Sequence, residues 1–290
     1  MLFNSVEFFV FFIICFSAYW FLFKTKKNQN LFLLLISYFF YGWWDWRFLF
    51  LILASSLLDY LIGIKLSETH EKSKRKALLF LSISFNLGAL GIFKYYDFFI
   101  SSLVDVLPGL DTDGFLLNVI LPVGISFYTF QTLSYTIDIY KEEIKEERNL
   151  VSFAAFVCFF PQLVAGPIER AKDLLPQFEK SRIFNSKEAY DGLQLILWGL
   201  FKKSVIADNI SPYVDKIFLD YHNYGSGTLL LGAVLFSSQI YCDFSGYSDI
   251  AIGTSKLFGF NLSRNFNFPY FSKNITEFWK RWHMSFTKLV

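Results

Sequence analysis

Cysteine, histidine and methionine are scarce in this 290-residue sequence, with three, three and two copies, and the charge is close to balanced. The cysteines, Cys15, Cys158 and Cys242, sit in separate apolar runs without a CxxC pair or any metal-ligand spacing, so each reads as a small buried hydrophobe and no metal site is expected. A formal charge of +2, from 27 basic and 25 acidic residues, supplies no field that would attract nucleic acid. The first apolar run, Val6 to Phe23, carries Glu7 at its start with no lysine or arginine ahead of it, and no small-residue cleavage site follows it. It therefore reads as a retained transmembrane helix, not a signal peptide. The sequence also lacks a fixed-period repeat, inverted hydropathy symmetry, a phosphate-binding loop and a Ser-His-Asp arrangement. One membrane domain spanning residues 1–290 is the simplest partition.

What the sequence has in abundance is apolar and aromatic surface. It is 54% hydrophobic and 21% aromatic, with 38 phenylalanines, and its mean hydropathy is +0.38. A soluble domain of this length cannot bury that much in one core, whereas a bilayer solvates it. Spanning helices need about 20 apolar residues. Candidates are Val6 to Phe23, Leu31 to Trp44, Phe48 to Leu66, Ala77 to Phe93 and Leu116 to Tyr140. Lys24, Lys26 and Lys27 follow the first candidate, and Lys72, Lys74, Arg75 and Lys76 follow the third; short basic loops of this kind favour the cytoplasm. That orientation puts the N-terminus outside. It also places Trp43, Trp44 and Trp46 at the outer interface, together with a loop carrying Asp105, Asp111 and Asp113.

Residues 1–148 thus read as regular spanning helices. In residues 149–290 the apolar stretches shorten and carry Pro161, Gly166, Pro167, Lys202, Lys203 and Pro212. Broken backbone at membrane depth is tolerated where it packs on protein or lines a wet cavity, so this part is expected to form a cavity or tunnel.

Three polar constellations stand out. The first lies inside the apolar segment Thr228 to Phe260, where Gln239, Asp243 and Tyr247 recur every four residues and share a helical face, with Asp249 nearby. A charge there costs at least about 2.5 kcal/mol, so it faces a partner or water. The group reads either as polar glue around a helix break at Gly246 or as one wall of a substrate path. The second is Phe160 to Arg170, whose Gly166 and Pro167 end a helix and whose Glu169 and Arg170 form either an interfacial ion pair or part of a site. The third is Asn274 to Ser285. Here Asn274 or Thr276 caps a helix, Glu277 sits in its first turn and pairs with Arg281, and His283 falls four residues after Trp279, with Trp282 between. Such a helix reads either as a membrane-surface anchor or as a catalytic element. His70, in a charged loop, and His222, in a turn, add nothing to it.

Together these segments resemble the membrane-bound O-acyltransferase superfamily, in particular its bacterial branch of alginate O-acetylation proteins and related exopolysaccharide or peptidoglycan O-acetyltransferases. The resemblance rests on LPVGISF (121–127), SYTIDIY (134–140), FFPQLVAGPI (159–168), YCDFSGYSDIAIG (241–253) and ITEFWKRWHMS (275–285). It implies an all-α polytopic membrane protein, a ring of spanning and re-entrant helices around a central tunnel, in a bacterial inner membrane. Through that tunnel an acyl group, acetyl first of all, would pass from a cytoplasmic thioester donor to an extracytoplasmic polysaccharide, by way of a partner acyltransferase on the outer side.

Acetyl-coenzyme A or an acyl carrier is the implied donor, with no resident cofactor. Other superfamily members move D-alanine onto teichoic acids, and a polysaccharide or lipid transporter is the alternative from another class. The family uses two histidines. One lies in a WHxS helix and matches His283; the other, the stronger candidate for the general base, lies in an LWHG segment that these 290 residues do not contain. His283 would then position the donor or stabilise charge. Asp243, Tyr247 and Asp249 would line the tunnel with Gly166, Pro167, Glu169, Arg170, Asn274, Glu277, Trp279 and Trp282, while Arg281 meets an anionic donor or holds Glu277. The chain accordingly reads as incomplete beyond Val290 and inactive by itself.

Overall fold

A computed structural model describes residues 1–106, 116–117, 120–164 and 166–289. Among them the chain is helical, without strands: α1 (Val6–Phe21), α2 (Lys26–Gly42), α3 (Leu49–Glu68), α4 (Lys72–Leu90), α5 (Tyr96–Val106), α6 (Ile125–Tyr140), α7 (Leu150–Val157), α8 (Phe160–Leu163), α9 (Ala171–Glu179), α10 (Ser186–Leu200), α11 (Asp208–Leu219), α12 (Ser226–Leu257), α13 (Ile275–Arg281) and α14 (Met284–Leu289). Three described stretches are long and apolar enough to cross a membrane: Trp46–Glu68, Lys72–Leu103 and Ser226–Leu257. Widened π-type turns carry the helix across Gly91–Tyr95 and again across Phe201–Ala207.

Several expectations change. The helix anticipated from Leu116 begins only at Ile125, because Pro122 and a left-handed Gly124 at φ +76° interrupt the backbone just before it. The anticipated break at Gly246 is absent, and α12 runs unbroken for 32 residues. Pro212 likewise lies inside α11 rather than ending it. Asp111 and Asp113 of the expected outer loop fall outside the described residues.

The described residues pack as two compact units, one of residues 33–164 and 170–179, the other of 1–32, 165–169 and 180–290. In the first, α3, α4 and α6 share a polar network with no exposure to solvent. Asp59 accepts hydrogen bonds from Ser82 (2.5 Å), Asn86 (2.7 Å) and Thr136 (3.0 Å), and the Asn86 carbonyl accepts from Ser55 (2.7 Å) and Thr132 (3.3 Å). An unsatisfied polar group would be costly here, so the network fixes the register of three helices at once. Arg75 donates to the last carbonyls of two helices, Leu66 O at 2.7 Å and Tyr140 O at 2.8 Å, where the helix dipoles favour a cation.

The second unit is organised by α10 and α12, which run antiparallel. Gly192 faces Gly253 and Gly199 faces Gly246, so each pair is seven residues apart on both helices. A Cβ on Gly253 would lie 2.4 Å from the Gly192 carbonyl oxygen, and one on Gly246 would lie 2.7 Å from that of Gly199. The backbones meet because neither helix has a side chain at these points. Ion pairs stitch the same seam: Lys256 with Glu188 (2.7 Å), Lys202 with Asp249 (2.6 Å) and Lys203 with Asp243 (2.7 Å). α1 docks at the C-terminal end of α12, with the Trp20 indole donating to Leu257 O (2.9 Å) and the Tyr19 hydroxyl to Phe258 O (3.1 Å).

Replacing Gly253 with valine should lower resistance to unfolding by about 1–3 kcal/mol, since the obstructing atom is backbone and cannot rotate away. Thermal unfolding in detergent measures this. Gly88→Ala, with open space around its Cβ position, should leave the midpoint unchanged or slightly raised.

Candidate active site

The site is built from the turn between α13 and α14. Asn274 caps α13, its side-chain oxygen accepting the Glu277 N–H at 2.8 Å, so of the two candidate caps it is Asn274 that serves. Glu277 reaches back to the Lys273 N–H (2.8 Å) and also pairs with Arg281 (2.5 Å), as the four-residue spacing predicts. The Lys273 N–H and the Arg281 guanidinium together hold the Glu277 carboxyl below the usual range.

The helix stops at Arg281. Trp282 is extended, and His283 takes a left-handed backbone at φ +49°. Trp279 and His283 therefore do not lie along one continuous helix, although both line one groove. Strain of this kind costs about 1–3 kcal/mol and persists only where neighbouring groups fix the chain. Here they do. The Asn265 carbonyl accepts the Met284 N–H (2.8 Å), the Arg281 carbonyl accepts the Asn267 N–H (3.0 Å), and the His283 carbonyl starts α14 by accepting from Phe286 (3.0 Å).

Ser285, only 2% exposed, completes the clamp. Its hydroxyl donates to the Asn265 side chain at 2.5 Å and accepts the Ile168 N–H at 3.0 Å. The Gly166–Pro167–Ile168 segment is thereby tied to the histidine turn, and the neighbouring Glu169 accepts from the backbone and hydroxyl of Ser263. Arg170 instead pairs with Asp138 and Glu143. Glu169 and Arg170 consequently do not form the ion pair considered from sequence.

His283 opens into an apolar groove of about 650 Å3, which it shares with Phe244, Trp279, Trp282, Phe286 and Thr287. Phe244 projects from α12 with its ring 5.0 Å from the imidazole, and Phe286 lies at 5.5 Å. Trp282 is seated on Phe266 (5.0 Å) and Phe278 (5.6 Å), whereas Trp279 is more than half exposed. Burial lowers the His283 pKa below its ordinary value, so the imidazole is neutral at neutral pH.

Of the residues singled out from sequence, the groove gathers His283, Trp279 and Trp282. Asn274, Glu277 and Arg281 support α13 beneath it. Gly166, Pro167 and Glu169 are buried against the clamp. Asp243 and Asp249 are occupied by Lys203 and Lys202, and Tyr247 stacks on Phe3 at 4.6 Å, its buried hydroxyl without a partner among the described residues. Sequence reasoning missed Phe244, Phe286 and Thr287. It noted Lys202 and Lys203 only as interruptions, although two cations in an apolar run demand counterions, and Asp243 and Asp249 were at hand.

Residues 140–290 match the membrane-bound O-acyltransferase family. The chain belongs to that family. It is 40% identical over 287 residues to the "Probable alginate O-acetylase AlgI" of Pseudomonas putida, covering 98% of this chain and 59% of that protein. It is 34% identical to the peptidoglycan O-acetyltransferase of Helicobacter pylori, covering 100% of this chain and 60% of that one. Similarity to the teichoic acid D-alanyltransferase of Bacillus subtilis is narrower, at 33% over 58% of the chain and 43% of the relative. The chain thus spans about 60% of the length of the two O-acetylating relatives. The histidine groove falls inside the matched region.

Two outcomes follow. Ser285→Ala leaves the Ile168 N–H unpaired and should cost about 1–3 kcal/mol of stability, read by unfolding in detergent. The lowered His283 pKa means that the unfolded chain binds the extra proton first, so its contribution to stability is present above the unfolded pKa of about 6.5 and fades as pH falls below it. His283→Gln should flatten that part of the stability–pH curve.

Proposed function

We propose that this protein moves an acyl group, acetyl first of all, from a cytoplasmic thioester donor toward hydroxyls of an extracytoplasmic polysaccharide. The observation that carries the reading is the neutral, half-buried His283 opening into an apolar groove walled by Phe244, Trp279, Trp282 and Phe286. An acyl chain is apolar and its carbonyl is polarisable, so such a groove suits the acyl end of a thioester better than it suits a sugar.

In the reaction, a hydroxyl oxygen attacks the thioester carbonyl. The new C–O bond forms, the C–S bond breaks, and the thiolate leaves with the proton that the hydroxyl gave up. A neutral imidazole can donate a hydrogen bond to the carbonyl oxygen as it gains charge. Removing one such donor typically costs about 10²–10³ in rate. The clamp through Ser285 and Asn265 holds the imidazole in place before substrate arrives.

Acetyl transfer is preferred over D-alanyl transfer because likeness to the O-acetylating relatives extends over the whole chain, while likeness to the D-alanyltransferases stops near three-fifths of it. Acetyl-coenzyme A or an acyl carrier would supply the thioester, and a partner acyltransferase outside the membrane would complete delivery to an alginate-like polymer or to peptidoglycan. The basic segments Lys24–Lys27 and Lys72–Lys76 would face the cytoplasm of a bacterial inner membrane, with the N-terminus outside.

The full-length protein carrying His283→Ala, expressed in a deletion strain, should insert normally in the membrane and reduce polymer O-acetyl content by at least about a hundred-fold. Unchanged acetyl content would remove His283 from the reaction. Labelled D-alanine on the polymer in place of acetyl would overturn the choice of acyl group.

A further inference from the structure

A second groove, of about 470 Å3, lies within the same compact unit but shares no lining residue with the histidine site. Its walls are apolar rings and chains, among them Phe16 and Phe21 of α1 and Ile183 and Phe184 of the segment before α10. Phe21 and Ile183 are 76% and 85% exposed, which in a bilayer means facing acyl chains rather than water.

The polar residues of its lining are Lys24, Gln29 and Arg182, and no carboxylate is among them. Lys24 stands at the end of α1, where its ammonium donates to Trp20 O at 2.6 Å. Arg182 is 8% exposed and is aligned by the Tyr19 hydroxyl (2.6 Å) and the Asn30 side-chain oxygen (2.5 Å), with its guanidinium 4.8 Å from the Phe260 ring centre. Gln29 is 2% exposed. Its amide nitrogen donates to Phe23 O (3.2 Å), while its side-chain oxygen is buried with no hydrogen-bond partner among the described residues. Such an acceptor needs a donor that the chain itself does not bring.

We propose that this groove is a binding site for an anionic phospholipid whose headgroup carries hydroxyls, of the phosphatidylglycerol class. One acyl chain lies along Phe16, Phe21 and Phe184. The phosphate meets the positive end formed by Lys24 and Arg182, and a headgroup hydroxyl donates to the Gln29 oxygen. Charge complementarity selects this occupant: the lining is cationic and free of carboxylates, and Lys26 and Lys27 follow at the start of α2. A zwitterionic choline headgroup would bring its own cation toward the lysines and would offer Gln29 no donor.

The test is retention of lipid by the purified protein, read by native mass spectrometry after exchange into detergent with defined lipids. Phosphatidylglycerol should stay bound where phosphatidylcholine is lost. Lys24→Gln should weaken retention about five-fold, the effect of one basic side chain beside an anionic lipid. Gln29→Leu should weaken phosphatidylglycerol while leaving phosphatidic acid, which lacks the glycerol headgroup, as it was. Lys74→Gln, outside the groove, should change nothing, and gel filtration of each variant reports its folding. Equal retention of phosphatidylglycerol and phosphatidylcholine would overturn the proposal, as would an unaffected Lys24→Gln variant. Displacement of the lipid by soluble glycerol phosphate would show that a free anion suffices, and a dimer forming through the emptied groove would assign it to a second copy; either result would also overturn it.

Discussion

The close approach of α10 and α12 is the constraint on which the second unit depends. Two pairs of glycines bring backbone against backbone, and at that separation the side chains beside them have few choices. Lys202 meets Asp249, and Lys203 meets both Asp243 and Asp208, which spares an apolar segment the cost of bare ions. The widened turn Phe201–Ala207 sits where those lysines leave the helix. Inside a bilayer the hydrophobic effect gives no drive for two helices to associate, so packing and polar pairing carry the load together.

That seam also sets the histidine site. Phe244 lies on α12 between the paired Asp243 and the glycine contact at Gly246, so its ring is fixed by the helix rather than by a loop. The imidazole is brought to it by a strained left-handed turn, and the strain is held by Asn265, Asn267 and Ser285. A rigid wall on a helix and a turn pinned by buried hydrogen bonds are what a reaction needs if its geometry is to be ready before the substrate arrives.

Much of this was legible in sequence. Hydropathy and basic loops marked the chain as a membrane protein, the Asn274 cap and the Glu277–Arg281 pair followed from spacing, and the WHxS segment pointed to His283. What sequence spacing could not show was where helices end or meet. The left-handed His283 looks like any helical residue until Asn265, eighteen positions earlier, is known to hold it. Gly246 reads as a breaker because glycine weakens helices in water, yet here it lets another backbone approach. Pro122 and Gly124 were lost inside an apolar run that seemed long enough to span. Long-range partners decided each of these cases, and local pattern carries no information about them.

The central claim is that His283 meets the acyl end of the donor in the aromatic groove. Membranes containing the full-length protein, treated with a haloacetyl thioester and digested for peptide mapping, test this directly. The account predicts alkylation of the His283 imidazole, suppressed by an excess of the matching acetyl thioester. Labelling confined to other residues, with acetyl transfer to polymer intact and His283 unmodified, would contradict it.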